Sequence, residues 1–378
     1  MIELVLRIYS VNTYKKKLCI IIPAHWAAIM GGSQYQAKFF IESLASINKY
    51  EIYYLARRVD PTFKPYDYRI IQIADPRGVR RFGESFDAPR LINLLRNIKP
   101  DIIYQRVGCG YTGIAAHYAR RNDCKMIWHV AHDMEVLPFE RTYSHNIIFR
   151  YLEKKVLEYG IVHADDILVQ TLQQGQFLQK NYGRKATAVI PNVQPLPEEK
   201  IIKTAPLKVV WIANLKPWKQ PEFFIRLARD LHKYKDVHFT MIGRPPDETH
   251  WREALMQEIS KLDNLKYLGG CTQEVVNHNL ARAHIFVNTS IQEGFANTFI
   301  QAWMRKVPVV SLNVNPDGVF NNRSIGLFSG SYEKLKQDVI RLIEEPDLRE
   351  RMGEHAQAYA FDKHSIGNFK KMIELIDK

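Results

Sequence analysis

An α/β protein built from two doubly wound parallel sheets is the fold class that this sequence predicts, on three observations. Short apolar strands alternate with helical patterns along most of the chain, which is the signature of βαβ units and parallel sheets. The alternation runs twice, and a polar, Pro-containing stretch, PLPEEK (195–200), separates the two runs. The chain has 378 residues, more than one ordinary hydrophobic core organises, so two domains are expected.

The first run opens with the apolar strand KLCIIIPA (17–24), a helical pattern over SQYQAKFFIESLA (33–45) and the strand EIYYLAR (51–57). A helix over LINLLRNI (91–98) precedes the strand DIIYQR (101–106), and KMIWHVA (125–131), DILVQT (166–171) and AVIPNV (188–193) are further strands. The second run begins at LKVVWIANL (207–215) and a helix over 221–233. It continues through VHFTMIG (237–243), a helix over 250–261, LKYLGG (265–270), a helix over 273–282 and HIFVN (284–288). The expected domains are 1–196 and 197–361, each a Rossmann-like unit, facing a cleft.

Composition narrows the function classes. No run approaches 18 apolar residues, so no membrane span is expected. Residues 1–16 do not read as a signal peptide, because Glu3 and Arg7 interrupt the apolar stretch and the Lys run follows it; an added strand or a disordered lead-in fits better. Cys19, Cys109, Cys124 and Cys271 are scattered and match neither a metal site nor a redox pair, which suits a reducing cytoplasm. The net charge of +13 is uneven: residues 1–150 carry +9 and the remaining 228 only +4. A basic first domain suits a solvated surface or an anionic membrane face better than nucleic acid.

The most informative segment is FVNTSIQEGFANTFIQ (286–301). A strand runs through a small polar loop carrying Glu293 and Gly294 into a helix with Phe299, Ile300, Trp303 and Met304 at helical spacing. Asn297 is the expected N-cap. Such a strand–loop–helix entry points backbone N–H groups at an anion such as a diphosphate. Gln301, eight residues after Glu293, falls on the same helix face as Asn297. Lys219 follows the first strand of the second domain, where doubly wound sheets bind phosphates.

The segment EGFANTFIQAWMRKVPVVS resembles the donor-site motif of the retaining nucleotide-sugar glycosyltransferases of family four: Glu, seven residues, Glu, then a helix and a Pro-Val-Val strand. The resemblance spans roughly 17–375 and implies the GT-B fold. It implies an enzyme that moves a sugar from a nucleotide diphosphate to a glycan or lipid-linked acceptor in cell-surface polysaccharide synthesis, with retention and without a metal or other cofactor. It places Lys219 on the donor phosphates, Glu293 on the sugar hydroxyls, and Phe295, Ala296, Asn297 and Thr298 as backbone donors. Gln301 falls at the ribose, His132 in the cleft beside the donor sugar, and Gly31 and Gly32 on a loop near phosphates and acceptor. It also implies that a last helix, about 362–378, packs back on the first domain, and that the protein is cytoplasmic and peripheral at the membrane.

Two positions depart from the family pattern. Asn214 stands where the pattern has Arg, and Gln301 where it has the second Glu. One change removes a positive charge and the other a negative one, so they read as a compensating pair. A binding protein without turnover is the competing class. GCGYTG (108–113), a G-x-G-x-x-G match after a strand with Asp133 twenty residues on, keeps an NAD oxidoreductase as a weaker third. His129 and His132, three apart on a strand, would face opposite ways and so argue against a metal pair.

Overall fold

The computed structural model describes residues 15–75, 77–139 and 146–377. The expectation for the N-terminal lead-in therefore lies almost wholly outside the described residues. The chain forms two compact units, one taking in the described residues up to Val169 with Gly175–Ala188 and the chain from Ile373, the other Gln170–Gln174 and Val189–Met372.

The first unit is a seven-stranded parallel sheet. Its strands are β1 (Lys16–Ile21), β2 (Tyr50–Ala56), β3 (Arg69–Gln72), β4 (Ile102–Arg106), β5 (Lys125–His129), β6 (Asp166–Val169) and β7 (Ala188–Val189), in the order β3-β2-β1-β4-β5-β6-β7. Helices α1 (Gly32–Ile47), α2 (Ala88–Ile98), α3 (Gly110–Ala119), α4 (Asp133–Val136), α5 (Ile147–His163) and α6 (Leu172–Tyr182) join them. The central strands are apolar on both faces: Leu18, Cys19, Ile20 and Ile21 are all fully buried, as a strand between two helix layers requires.

The second unit is a six-stranded parallel sheet with strands β8 (Leu207–Ile212), β9 (Val237–Ile242), β10 (Leu265–Tyr267), β11 (Ile285–Asn288), β12 (Val309–Ser311) and β13 (Gly326–Phe328), ordered β10-β9-β8-β11-β12-β13. Its helices are α7 (Pro221–Asp230), α8 (Thr249–Ser260), α9 (Gln273–Arg282), α10 (Asn297–Trp303), α11 (Val319–Arg323), α12 (Tyr332–Glu344) and α13 (Pro346–His364), and α14 (Phe369–Asp377) closes the chain. Pro221 at the first turn of α7 fits its fixed φ. Phe224, Ile225, Leu227 and Ala228 form the face that α7 buries against Trp211 and Phe239, and each large side chain so buried is worth about 1.5–3 kcal/mol.

The expected strands are all present, β2 at its full expected length and the others shorter by one to four residues, while β3, β13 and several helices, among them α3, α5, α6, α12 and α13, go beyond the expected elements. No helix among the described residues is long and apolar enough to cross a membrane. In both sheets the strand order reverses beside the first strand, between β1 and β4 and between β8 and β11. Those reversals are the topological switch points where open α/β sheets bind ligands, at the C-terminal strand ends.

Candidate active site

The second unit's switch point gathers the predicted site residues. Lys219 ends a short turn (Pro217–Lys219) after β8, and Glu293 lies in the loop after β11, the neighbouring strand. Lys219 Nζ and Glu293 Oε1 form an ion pair in which the two side chains are only 19% and 14% exposed. Ser290 Oγ donates to the same Oε1 at 2.8 Å, and Asn288 Nδ2 donates to Ser290 Oγ at 3.1 Å.

The two loops are also sewn together through the main chain. The Thr289 hydroxyl donates to Lys219 O at 2.6 Å, Trp211 Nε1 donates to Thr289 Oγ1 at 2.8 Å, and Ile291 N–H donates to Trp218 O at 2.8 Å. An ammonium and a carboxylate held this way are fixed before any ligand arrives. That is the condition for electrostatic stabilisation without reorganisation cost. Ser290 and Thr289 were not singled out from sequence; the signal was the small polar triplet Asn288-Thr289-Ser290 between an apolar strand and Glu293.

Asn297 is not the N-cap of α10. Ala296 takes that position, with extended φ and ψ of −65° and 121°, and Asn297 is the first helical residue. Packing overrides capping preference here. Phe295 and Ala296 are buried, the Phe295 ring lies 4.7 Å from that of His364, and Asn192 Nδ2 donates to Phe295 O at 2.9 Å. The helix has only seven residues, so its first-turn N–H groups, Thr298 among them, matter more than any accumulated dipole. Gln301 is 6% exposed and donates from Nε2 to Gln194 Oε1 at 3.3 Å, while its carbonyl accepts from Arg305 Nη1 at 3.0 Å. Asn214 is exposed, and its Oδ1 accepts the Arg244 N–H at 3.2 Å.

The first unit places the remaining candidates. Gly31 is the N-cap of α1 and Gly32 its first residue, ten residues beyond the end of β1. The backbone of Gly31 is extended, φ −149° and ψ 171°, so no left-handed geometry demands glycine there. His132 lies in the turn after β5, not on the strand, so the alternation argument for His129 and His132 does not apply. His132 caps α4, its Nδ1 accepting the Met134 N–H at 3.2 Å. His129 is buried with Nδ1 2.8 Å from Tyr104 Oη and 2.9 Å from Arg106 Nη1.

The GCGYTG segment has a packing role. Gly113 meets α5 so closely that a Cβ would stand 2.1 Å from Val156 O, and a Cβ on Gly160 of α5 would stand 2.6 Å from Thr112 C. The N-terminus of α3 is already filled by a carboxylate of the chain itself. Glu153 accepts the N–H groups of Gly110, Glu84 and Ser85 at 2.5, 3.1 and 3.1 Å. Beside it Glu135 accepts the Ala131 N–H at 2.9 Å, and burial pushes its carboxyl up to about 7. A pyrophosphate at this turn would meet two glutamates, which removes the basis for the dinucleotide reading.

Two family models match the chain side by side: glycosyltransferase family 4 over residues 30–193 and glycosyl transferases group 1 over residues 193–359. Together the two models cover residues 30–359, so the chain is a glycosyltransferase of these families, and it has the GT-B fold. An uncharacterized glycosyltransferase of Methanocaldococcus jannaschii is 22% identical over 95% of this chain and 99% of its own length. Among solved structures, sucrose-phosphate synthase from Thermosynechococcus elongatus superimposes with a TM-score of 0.79 at 14% identity, covering 96% of this chain and 98% of its own. Anabaena HepE, solved with UDP-glucose, gives 0.73 at 15% identity, covering 96% and 99%.

Proposed function

We propose that this enzyme transfers a hexose from a nucleoside-diphosphate sugar with retention of configuration, without a metal, to a glycan or lipid-linked acceptor. The observation that carries the reading is the Lys219–Glu293 pair, held at the second unit's switch point by Ser290, Thr289 and the Trp218 carbonyl. In this reading the Lys219 ammonium faces the diphosphate and offsets the charge that grows on it as the sugar C1–O bond breaks. The first turn of α10, from Asn297 and Thr298, adds main-chain donors after Phe295 and Ala296. Glu293 accepts hydroxyls of the transferred sugar, and its pairing with Lys219 keeps it oriented.

The acceptor oxygen attacks C1 on the face the diphosphate leaves. The new C1–O bond forms as the old one breaks, and the acceptor proton passes to an oxygen of the departing phosphate. No side-chain nucleophile is required, and a side-chain cation does the work otherwise given to a metal. Gln301 sits toward the ribose and Asn214 at the phosphate end. His132 and the Gly31–Gly32 loop belong to the acceptor side. HepE was solved with UDP-glucose, which makes UDP-sugars the first donors to try. The excess positive charge of residues 1–150 supports an acceptor at an anionic, cytoplasmic membrane face in cell-surface glycan synthesis, at roughly 1 kcal/mol per basic residue near the surface.

A thermal-shift panel of UDP- and GDP-sugars tests the donor, since a bound donor raises the midpoint with its concentration. Product made from an α-linked donor is expected to be α-linked by proton NMR, and a β anomer overturns retention. Activity undiminished by EDTA is expected, and its loss, restored by a divalent cation, overturns metal independence. Sedimentation with anionic vesicles at low salt tests the membrane arm; failure to sediment leaves a soluble acceptor.

A further inference from the structure

We propose that Arg244 supplies the donor diphosphate with the positive charge that the family pattern places at position 214. The inference rests on the donor-site reading above. Arg244 follows β9, the strand beside β8, so its Cα lies at the C-terminal edge where Lys219 also stands. Two bonds tie it to the turn after β8: Leu215 N–H donates to Arg244 O at 2.9 Å, and Arg244 N–H donates to Asn214 Oδ1 at 3.2 Å. Asn214 is thus more than a lost cation, because its amide oxygen holds the residue that carries one.

Two glycines make this placement possible. Gly243 has φ +159°, and a Cβ there would stand 1.7 Å from Ala213 O, so the chain can pass this close to the β8 turn only without a side chain. A Cβ on Gly270, after β10, would stand 2.7 Å from Arg244 Cγ, so the aliphatic stem of Arg244 lies over bare backbone.

The surrounding charges point the same way. Lys219 is engaged by Glu293, and Lys216 Nζ lies 4.9 Å from the centre of the Trp218 ring. Arg244 is exposed, and its guanidinium makes no ion pair or side-chain hydrogen bond among the described residues, including with Asp247 and Glu248 just beyond it. A guanidinium presents paired N–H donors that match two phosphate oxygens at once.

The test is calorimetric binding of whichever of UDP, GDP, ADP, CDP and dTDP the parent holds best. R244Q is expected to weaken it about 10- to 100-fold, the range for a hydrogen bond to a charged group, with the thermal midpoint unchanged because the side chain is exposed. G270A is expected to weaken binding by displacing the Arg244 stem, and the double variant R244Q/G270A to bind no worse than R244Q. R244Q within twofold of the parent, while K219A loses tenfold or more, overturns the role of Arg244 and leaves the donor site standing. Losses that simply multiply in the double variant overturn it too. K219A unchanged, or no diphosphate bound by the parent, overturns the donor-site reading itself and this inference with it.

Discussion

The two switch points share one strand order and carry opposite chemistry. At the end of β4 in the first unit, the main-chain donors of a glycine-rich turn are taken by Glu153, and Glu135 is buried beside them. At the ends of β8 and β9 in the second unit, Lys219 and Arg244 stand at the edge and one carboxylate, Glu293, is paired to a lysine. The same backbone therefore makes one edge whose main-chain donors are taken by a carboxylate and one that presents side-chain cations. A doubly wound sheet fixes where a ligand can approach, and the side chains at the strand ends decide whether an anion does.

The largest effect expected from breaking this contrast lies in the first unit. Gly113→Val sets a side chain against the main chain of α5, where even a Cβ would be 2.1 Å from Val156 O. Neither helix can yield without losing core packing, so a loss of several kcal/mol is expected, read as a collapse of the denaturant midpoint. A midpoint within 1 kcal/mol of the parent would show that the glycines do not hold α3 against α5.

The next effect concerns the second unit. Lys219→Ala is expected to lower the transfer rate by about 10²-fold, the usual order for one charge-stabilising donor, with little change in thermal midpoint. Unchanged turnover would remove Lys219 from the chemistry and erase the contrast between the two edges.

A pH experiment sharpens the comparison from within the second unit. His364 is fully buried, with its Nδ1 2.8 Å from Asn192 O, and burial lowers its pKa to about 4. A base whose folded pKa lies below its unfolded value near 6.5 binds fewer protons when folded, so stability falls as pH drops from about 6.5 towards 4. At 1.36 kcal/mol per pKa unit the full loss is at most about 3 kcal/mol. His25 and His284, also lowered to about 4 by burial, act in the same sense. His364→Gln is therefore expected to make the fall in midpoint between pH 6.5 and 4 shallower, and an unchanged slope would contradict a buried neutral imidazole.

The smallest effect is the coupling of the two family departures. Gln301→Glu buries a carboxylate against Gln194 and is expected to weaken donor binding. Adding Asn214→Arg brings a cation but frees Arg244 from the Asn214 amide oxygen, so it is expected to recover part of the loss, with a coupling of about 1 kcal/mol in a four-protein calorimetric cycle. Additivity within about 0.3 kcal/mol would mean that the departures are independent.

The sequence alone determined the class of the fold and the place of Lys219 and Glu293 in loops after parallel strands. Apolar strands buried on both faces, such as Leu18–Ile21 and Val209–Trp211, read as continuous apolar runs, and their alternation with helical patterns points to a covered parallel sheet. Lys219 and Glu293 were legible because each follows such a strand directly. What only the tertiary structure decided depends on residues distant in sequence meeting in space. Ala296 rather than Asn297 caps α10 because Asn192 and His364 fix the segment before it. GCGYTG has the spelling of a nucleotide turn and is a packing surface because Glu153 and Gly160 reach it from α5. Arg244 carried no signal in its own neighbourhood. Its placement comes from hydrogen bonds to a turn thirty residues earlier and from a glycine just after the next strand, and local pattern cannot record a contact between strands that the fold alone makes neighbours.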